Sequence, residues 1–171
     1  MKKLAIISTL VLLLIGSVDA QTGAKSLFME LGGPGLASIN YDMRFGNKDD
    51  GFGGRVGIGG FTLRDNSETK FTLLFIPVGV NYLLGGDGKN YLELGAGVTP
   101  VVLSSKWDGD KDTFSGTFGH LIVGYRSQPL NSGFSFRAFI CPIFGSWGFI
   151  PYYLGLSFGY KFGGGAKVTV R

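Results

Sequence analysis

From Tyr152 to Phe162 the chain changes chemistry at every step. Tyr152, Leu154, Leu156, Phe158, Tyr160 and Phe162 alternate with Tyr153, Gly155, Ser157, Gly159 and Lys161. A period of two sustained this long specifies a strand with two unlike faces. One face is continuously apolar and aromatic; the other is small or charged. Turned outward to lipid and inward to a polar lumen, such a strand fits the wall of a membrane barrel.

Similar alternation predicts strands near 26–32, 36–45, 54–63, 70–83, 91–104, 115–126, 133–144 and 152–162. The stretches between them carry the Gly, Asn, Asp and Pro that tight reversals use. Nothing between them reads as an amphipathic helix, because the apolar residues recur at two and not at three or four, so without helical crossovers neighbouring strands must pair antiparallel. An even set of strands about ten residues long closes most simply as a barrel. The expected fold is therefore all-β, an eight-stranded antiparallel up-and-down transmembrane β-barrel. Pro77 and Pro100 lie inside predicted strands and point to bulges or rim positions. Val56 and Ile58 differ in parity from Phe61 and Leu63, which a bulge at Gly59-Gly60 would repair.

The first 20 residues read as a signal peptide. Lys2 and Lys3 precede the apolar run Leu4–Ile15, and Val18-Asp19-Ala20 offers a cleavage site before Gln21. Residues 21–162 form the predicted barrel domain, and 163–171 a short C-terminal tail. Without Lys2, Lys3 and Asp19, the 16 basic and 12 acidic residues fall to 14 and 11. No Lys/Arg cluster of the kind phosphate backbones require is present, so nucleic acid is not expected as a partner. The single Cys141 cannot form an internal disulfide, which leaves the sheet to hold an exported chain together.

With a periplasmic N-terminus, the connections at 33–35, 64–69, 105–113 and 145–151 face outward, and the longest of them is also the most charged. Aromatic residues sort to two levels. Phe61, Phe71, Trp107, Phe114, Trp147 and Tyr152 lie near outer strand ends, and Tyr41, Phe45, Tyr82, Tyr91, Tyr125, Phe134 and Phe162 near inner ends. Two girdles suit the two lipid–water interfaces.

The chain resembles the small eight-stranded outer-membrane barrels, akin to the OmpA membrane domain and OmpX, over essentially all of Gln21–Phe162. In the last strand Tyr153, Gly155, Phe158 and Tyr160 match the polar-x-Gly-x-x-aromatic-x-aromatic signal read by the barrel assembly machinery. Such proteins usually end on an aromatic residue, whereas here nine residues follow Phe162. The resemblance implies an outer-membrane location after signal-directed export. It carries no defined activity.

Alternation turns a set of polar side chains inward: Glu30, Ser38, Asn40, Asp42, Arg44, Arg55, Asn81, Glu93, Arg126, Arg137 and Lys161. Charges in so narrow a space must be paired, and Glu30 and Glu93 against Arg55, Arg137 and Lys161 make the natural network. Eight strands enclose only enough room for side chains, so a packed polar lumen is expected, with a narrow pore for ions or small solutes as the alternative. Inward glycines at 57, 95, 97, 155 and 159 would relieve crowding. A secreted lipocalin-like carrier needs the opposite polarity of faces.

A lipid-modifying enzyme needs a nucleophile beside a base. The single His120 has no serine on its own face nearby, so no catalytic residue is assigned. Cys141 reads as a small packed residue. The alternating Asp108, Asp110 and Asp112 lack the closing Glu of a calcium loop, and no metal or cofactor is expected. Trp107 and Trp147 are possible outer-loop contacts to lipopolysaccharide or a surface partner. The reading is a monomeric barrel with a structural or surface-interaction role, partnered by outer-membrane lipid, lipopolysaccharide and the assembly machinery.

Overall fold

The computed structural model describes residues 23–65, 69–85, 87–107 and 110–162. The signal peptide and the tail after Phe162 lie outside the described residues, as do Asp108 and Gly109 of the longest outer connection. The strands are β1 (Lys25–Gly32), β2 (Ala37–Arg44), β3 (Gly51–Asp65), β4 (Thr69–Phe75), β5 (Val78–Leu84), β6 (Asn90–Trp107), β7 (Asp110–Ser127), β8 (Gly133–Ile140), β9 (Ile143–Gly145), β10 (Gly148–Ile150) and β11 (Leu154–Phe162).

All pairings among them are antiparallel, and β11 pairs with β1, so the sheet closes on itself. Three of the gaps are interruptions of one strand, and each contains a proline: Ile76-Pro77, Cys141-Pro142 and Pro151-Tyr152-Tyr153. Proline has no N–H to give the ladder. Joining across these gaps gives the eight-stranded ring expected from the alternation.

The expected bulges at Pro77, Pro100 and Gly59-Gly60 are absent. Val56 pairs with Val78 and Gly59 with Phe75, so the register runs through Pro77 without an inserted residue. Opposite Pro77, β6 is continuous through Pro100, whose carbonyl accepts from Ile76 N–H at 3.0 Å. The same register continues beyond Gly60, placing Phe61 opposite Leu73. The insertion lies elsewhere. Ile140 pairs with Leu154 and Ile143 with Ile150, so Cys141 and Pro142 face three residues, Pro151 to Tyr153.

The change of phase at Gly60 is thus real. Below it, Val56 and Ile58 face outward with Leu27, Met29, Leu31 and Ile39, all exposed. Above it, β3, β4, β6 and β7 continue past the end of β2 as a projecting sheet. There the outward positions are polar, with Thr62 and Thr72 joined hydroxyl to hydroxyl at 3.2 Å. Phe61, Leu73 and Leu103 pair in turn with one another and with Phe114, on the face continuous with the lumen. Lipid demands an apolar outer face only over the height of the bilayer, and beyond it that demand ends. Phe61, Phe71 and Phe114 therefore leave the expected outer girdle.

At the opposite end the inner girdle forms in part. Phe52 meets Tyr82 edge to face at 4.7 Å, Phe134 meets Tyr160 at 6.1 Å, and Tyr41 lies 6.3 Å from Phe162. Tyr91 is buried and faces the lumen instead. The turn before β6 is tied by Asp87, whose carboxylate accepts from Lys89 N–H at 2.9 Å and Asn90 N–H at 2.7 Å. Hydrogen bonds from the Asn90 backbone and side chain, and then from Lys89, hold its pKa down to about 2.

Large and absent side chains interlock inside the ring. A Cβ on Gly155 would stand 2.3 Å from Phe139 Cζ, and one on Gly57 2.1 Å from Asn40 Oδ1. Gly155→Ala is expected to cost about 1–3 kcal/mol through overpacking against the Phe139 ring. Urea unfolding of the refolded barrel in lipid vesicles measures it, and a cost near zero would mean the ring can move aside.

Candidate functional site

Every one of the inward polar residues expected from alternation is buried: Glu30, Ser38, Asn40, Asp42, Arg44, Arg55, Asn81, Glu93, Arg126, Arg137 and Lys161. They come from all eight walls, because each strand offers one inward side chain every second residue. Local alternation put them on the inner face; ring closure brought them together.

Two carboxylates organise one end of the network. Arg55 Nη2 donates to both Glu30 oxygens at 2.9 and 3.0 Å and to Asn40 Oδ1 at 2.7 Å. Glu30 also accepts from Ser157 Oγ at 3.3 Å and lies 3.7 Å from Arg137 Nη1. Arg137 grips Glu93 side-on, Nε to Oε2 at 2.8 Å and Nη2 to Oε1 at 2.6 Å. This two-pronged geometry is the strong form of an arginine–carboxylate bond. The Phe28 ring centroid lies 4.4 Å from Arg137 Cζ and 5.4 Å from Arg55 Cζ, within cation–π range of both.

Asn81 bridges to the second cluster, giving one N–H to Glu93 at 3.0 Å and one to Asp42 at 2.6 Å. Asp42 lies between two arginines. Arg44 Nη2 donates at 2.8 Å and Arg126 Nη1 at 3.0 Å, and Arg126 also reaches Ser26 Oγ at 3.1 Å. A continuous chain of charge-assisted hydrogen bonds thus runs from Arg137 through Glu93, Asn81 and Asp42 to Arg44 and Arg126, and the 3.7 Å ion pair to Arg137 joins Glu30 to it.

Lys161 departs from the expected pairing. It meets neither Glu30 nor Glu93 but donates to Asp49 at 2.6 Å and to the carbonyls of Pro129 and Leu130 at 2.9 and 3.1 Å. Asp49 sits in the turn after β2, where a run of polar residues read only as a reversal. Gln128 donates to the Asp49 carbonyl at 3.0 Å, which draws two inner turns across the lumen mouth. A buried lysine on an inward position without a carboxylate at strand spacing was the available signal that a turn supplies its partner.

The outer end of the lumen is apolar. Ile122, Phe139, Cys141 and Ile143 cluster there, with Phe118 and Tyr153 against them. Cys141 is fully buried, as its setting predicted. His120 lies beside this cluster, 3.2 Å from the Thr99 hydroxyl, and both are buried to within 1%.

The four residues of the assembly-like signal divide between faces. Tyr153 and Gly155 turn inward, against the apolar cluster and Phe139, while Phe158 and Tyr160 are exposed on the outer face. Trp147 lies exposed in the β9–β10 turn. Trp107 ends β6, and its side chain is outside the described residues.

No protein-family model matches the chain, and no curated protein matches it significantly. Solved structures do. The N-terminal β-barrel domain of Pseudomonas aeruginosa OprF is similar at 14% identity and a TM-score of 0.58, covering 83% of this chain and 98% of that one. Ail, the attachment invasion locus protein of Yersinia pestis, crystallised with the heparin analogue sucrose octasulfate, is similar at 13% identity and a TM-score of 0.52, covering 82% and 97%. Neisserial surface protein A is similar at 15% identity and a TM-score of 0.51, covering 82% and 95%. Identities this low concern architecture alone. In fold the chain is an eight-stranded β-barrel of the kind found in small outer-membrane proteins.

Proposed function

We propose that the chain is exported and sits as a monomer in the outer membrane, where it acts as a structural and surface-interaction barrel with a lumen closed by its own side chains. The observation that carries this reading is the pairing of the inward charges. Glu30, Asp42 and Glu93 each bind arginines at hydrogen-bond distance, and Lys161 with Asp49 spans the inner mouth. A pore would hold such charges in water; here they hold one another. The exposed apolar face of the ring supports the lipid setting, with lipopolysaccharide and the barrel assembly machinery as partners. Relatives in fold include a surface protein and an attachment protein crystallised with a sulfated sugar, in keeping with a surface role.

A narrow pore is the second reading, favoured by one feature. Four buried arginines face three buried carboxylates in the network, and Arg55 Nε and Nη1 and Arg126 Nε have no protein partner among the described residues. Water meets groups of this kind in a polar cavity.

The test joins fractionation, a heat-modifiability gel and planar-bilayer recording. Recovery in outer membranes, a mobility difference between boiled and unboiled samples, and no discrete conductance are expected. Steady anion-selective channels that change with Arg137→Ala would replace the closed lumen by the pore. A soluble product with no mobility difference would overturn the membrane reading altogether.

A further inference from the structure

The projecting sheet leaves a groove on the outer surface where β2 ends and β3 continues. It measures about 510 Å³ and lies between Leu31, Ile39 and Ile58 on the ring and Thr62, Thr72 and Leu74 on the β3–β4 hairpin. Leu31 also borders a second outer groove of about 730 Å³, walled by Val123, Ile140, Leu154 and Leu156. The ring-side walls of both are exposed apolar side chains of the lipid-facing band.

Chemistry along the hairpin's outward face is graded. Gly60 pairs with Leu74, Thr62 with Thr72, and Arg64 with Lys70. Moving away from the bilayer, the face passes from aliphatic to hydroxyl to cationic in three rungs. The register then sets Lys106 opposite Lys70 and Lys111 opposite Lys106. Like charges directly opposite one another destabilise a sheet. Arg64 and Lys70 are both exposed and lie above an apolar groove, so an anion standing beside the hairpin would relieve them. The order of the rungs matches an amphiphile with acyl chains, a sugar or glycerol zone, and a phosphate.

We propose that this groove is a binding site for a phosphorylated lipid of the outer leaflet, its acyl part against Leu31, Ile39 and Ile58 and its phosphate on Arg64 and Lys70. The site rests on the outer-membrane reading and gives its lipid partner a place. It is built by the phase change at Gly60. A hairpin apolar on its outer face throughout would offer no polar rungs, and one ending with β2 would offer no wall.

The experiment uses the full mature chain refolded in detergent, with insertion into phosphatidylcholine vesicles checked by heat modifiability. Native mass spectrometry then measures retention of diphosphorylated lipid A and of its dephosphorylated form. The wild type is expected to retain the phosphorylated lipid at least about tenfold better, since each cation near an anionic lipid contributes about 1 kcal/mol. Arg64→Ser with Lys70→Ser should abolish that preference while leaving dephosphorylated lipid unaffected. The same double variant should be no less stable in phosphatidylcholine, because it removes a facing pair of like charges. Equal retention of both lipids by the wild type, or an undiminished preference in the variant, would overturn the site while the barrel stands. A chain that never becomes heat-modifiable would overturn the membrane reading and the site with it.

Discussion

Asp42→Asn is expected to cost about 3–5 kcal/mol of barrel stability, the largest loss from any single lumen substitution. The carboxylate accepts from Arg44 at 2.8 Å, Arg126 at 3.0 Å and Asn81 at 2.6 Å. Asparagine keeps the shape and one acceptor but removes the charge, and its amide hydrogens then face arginine donors. Two guanidiniums are left enclosed with no negative charge between them. A group that loses its partner inside the protein bears the full desolvation penalty, and this exceeds the modest net worth of the intact bond. Urea titration of refolded protein in lipid vesicles measures the loss. Adding Arg126→Met should recover a large part of it by removing the stranded charge. A loss below about 1 kcal/mol would mean that water reaches Asp42 freely, and the closed lumen would give way to the pore.

Met29→Arg should cost about 2–4 kcal/mol, the second large effect. Met29 is at the middle of β1, paired with Phe158 and Ile39, and 66% exposed. In water an exposed residue of this kind is tolerant. In hydrocarbon a cation has no hydration shell and must bend the lipid or its own side chain to reach one. The control is Thr62→Arg, on the same outer surface but above Gly60, where the change should stay within about 0.5 kcal/mol. Vesicle unfolding of both variants reports the difference. Equal, small effects would show that the apolar face meets something other than lipid, as in a soluble carrier.

Much of the molecule was legible in the residues alone because alternation is local. Pleating sends successive side chains to opposite faces whatever the partner strand is, so Tyr152–Phe162 declared its own two faces. The same rule placed Glu30, Asp42, Arg55, Glu93 and Arg137 in the lumen. Strand number followed from turn residues that break the period, and the antiparallel ring followed from the absence of crossovers. Cys141 could be placed among apolar neighbours because Ala138, Phe139 and Ile140 precede it.

Alternation does not say which strand stands across from which position, nor at what height. Lys161 was inward by parity, yet its partner Asp49 lies in a turn far away in sequence, joined to it only when the inner mouth closes. The glycine pair before Phe61 looked like a slip of register. Its register proved continuous, and the apolar residues change sides of the sheet there, where β3 runs on past the end of β2. Proline marked interruptions correctly, but which interruption held the extra residue depended on the stagger of β8 to β11, a property of ring closure. The groove beneath Arg64 and Lys70 exists only because β2 is shorter than β3, and strand ends relative to neighbours are written in no single segment. What the sequence by itself determined was the strands, their two faces and the membership of the lumen, since these are set by covalent geometry and side-chain polarity. The ion pairs, the bulge and the outer grooves were decided by the tertiary structure, since these depend on the stagger with which eight strands close.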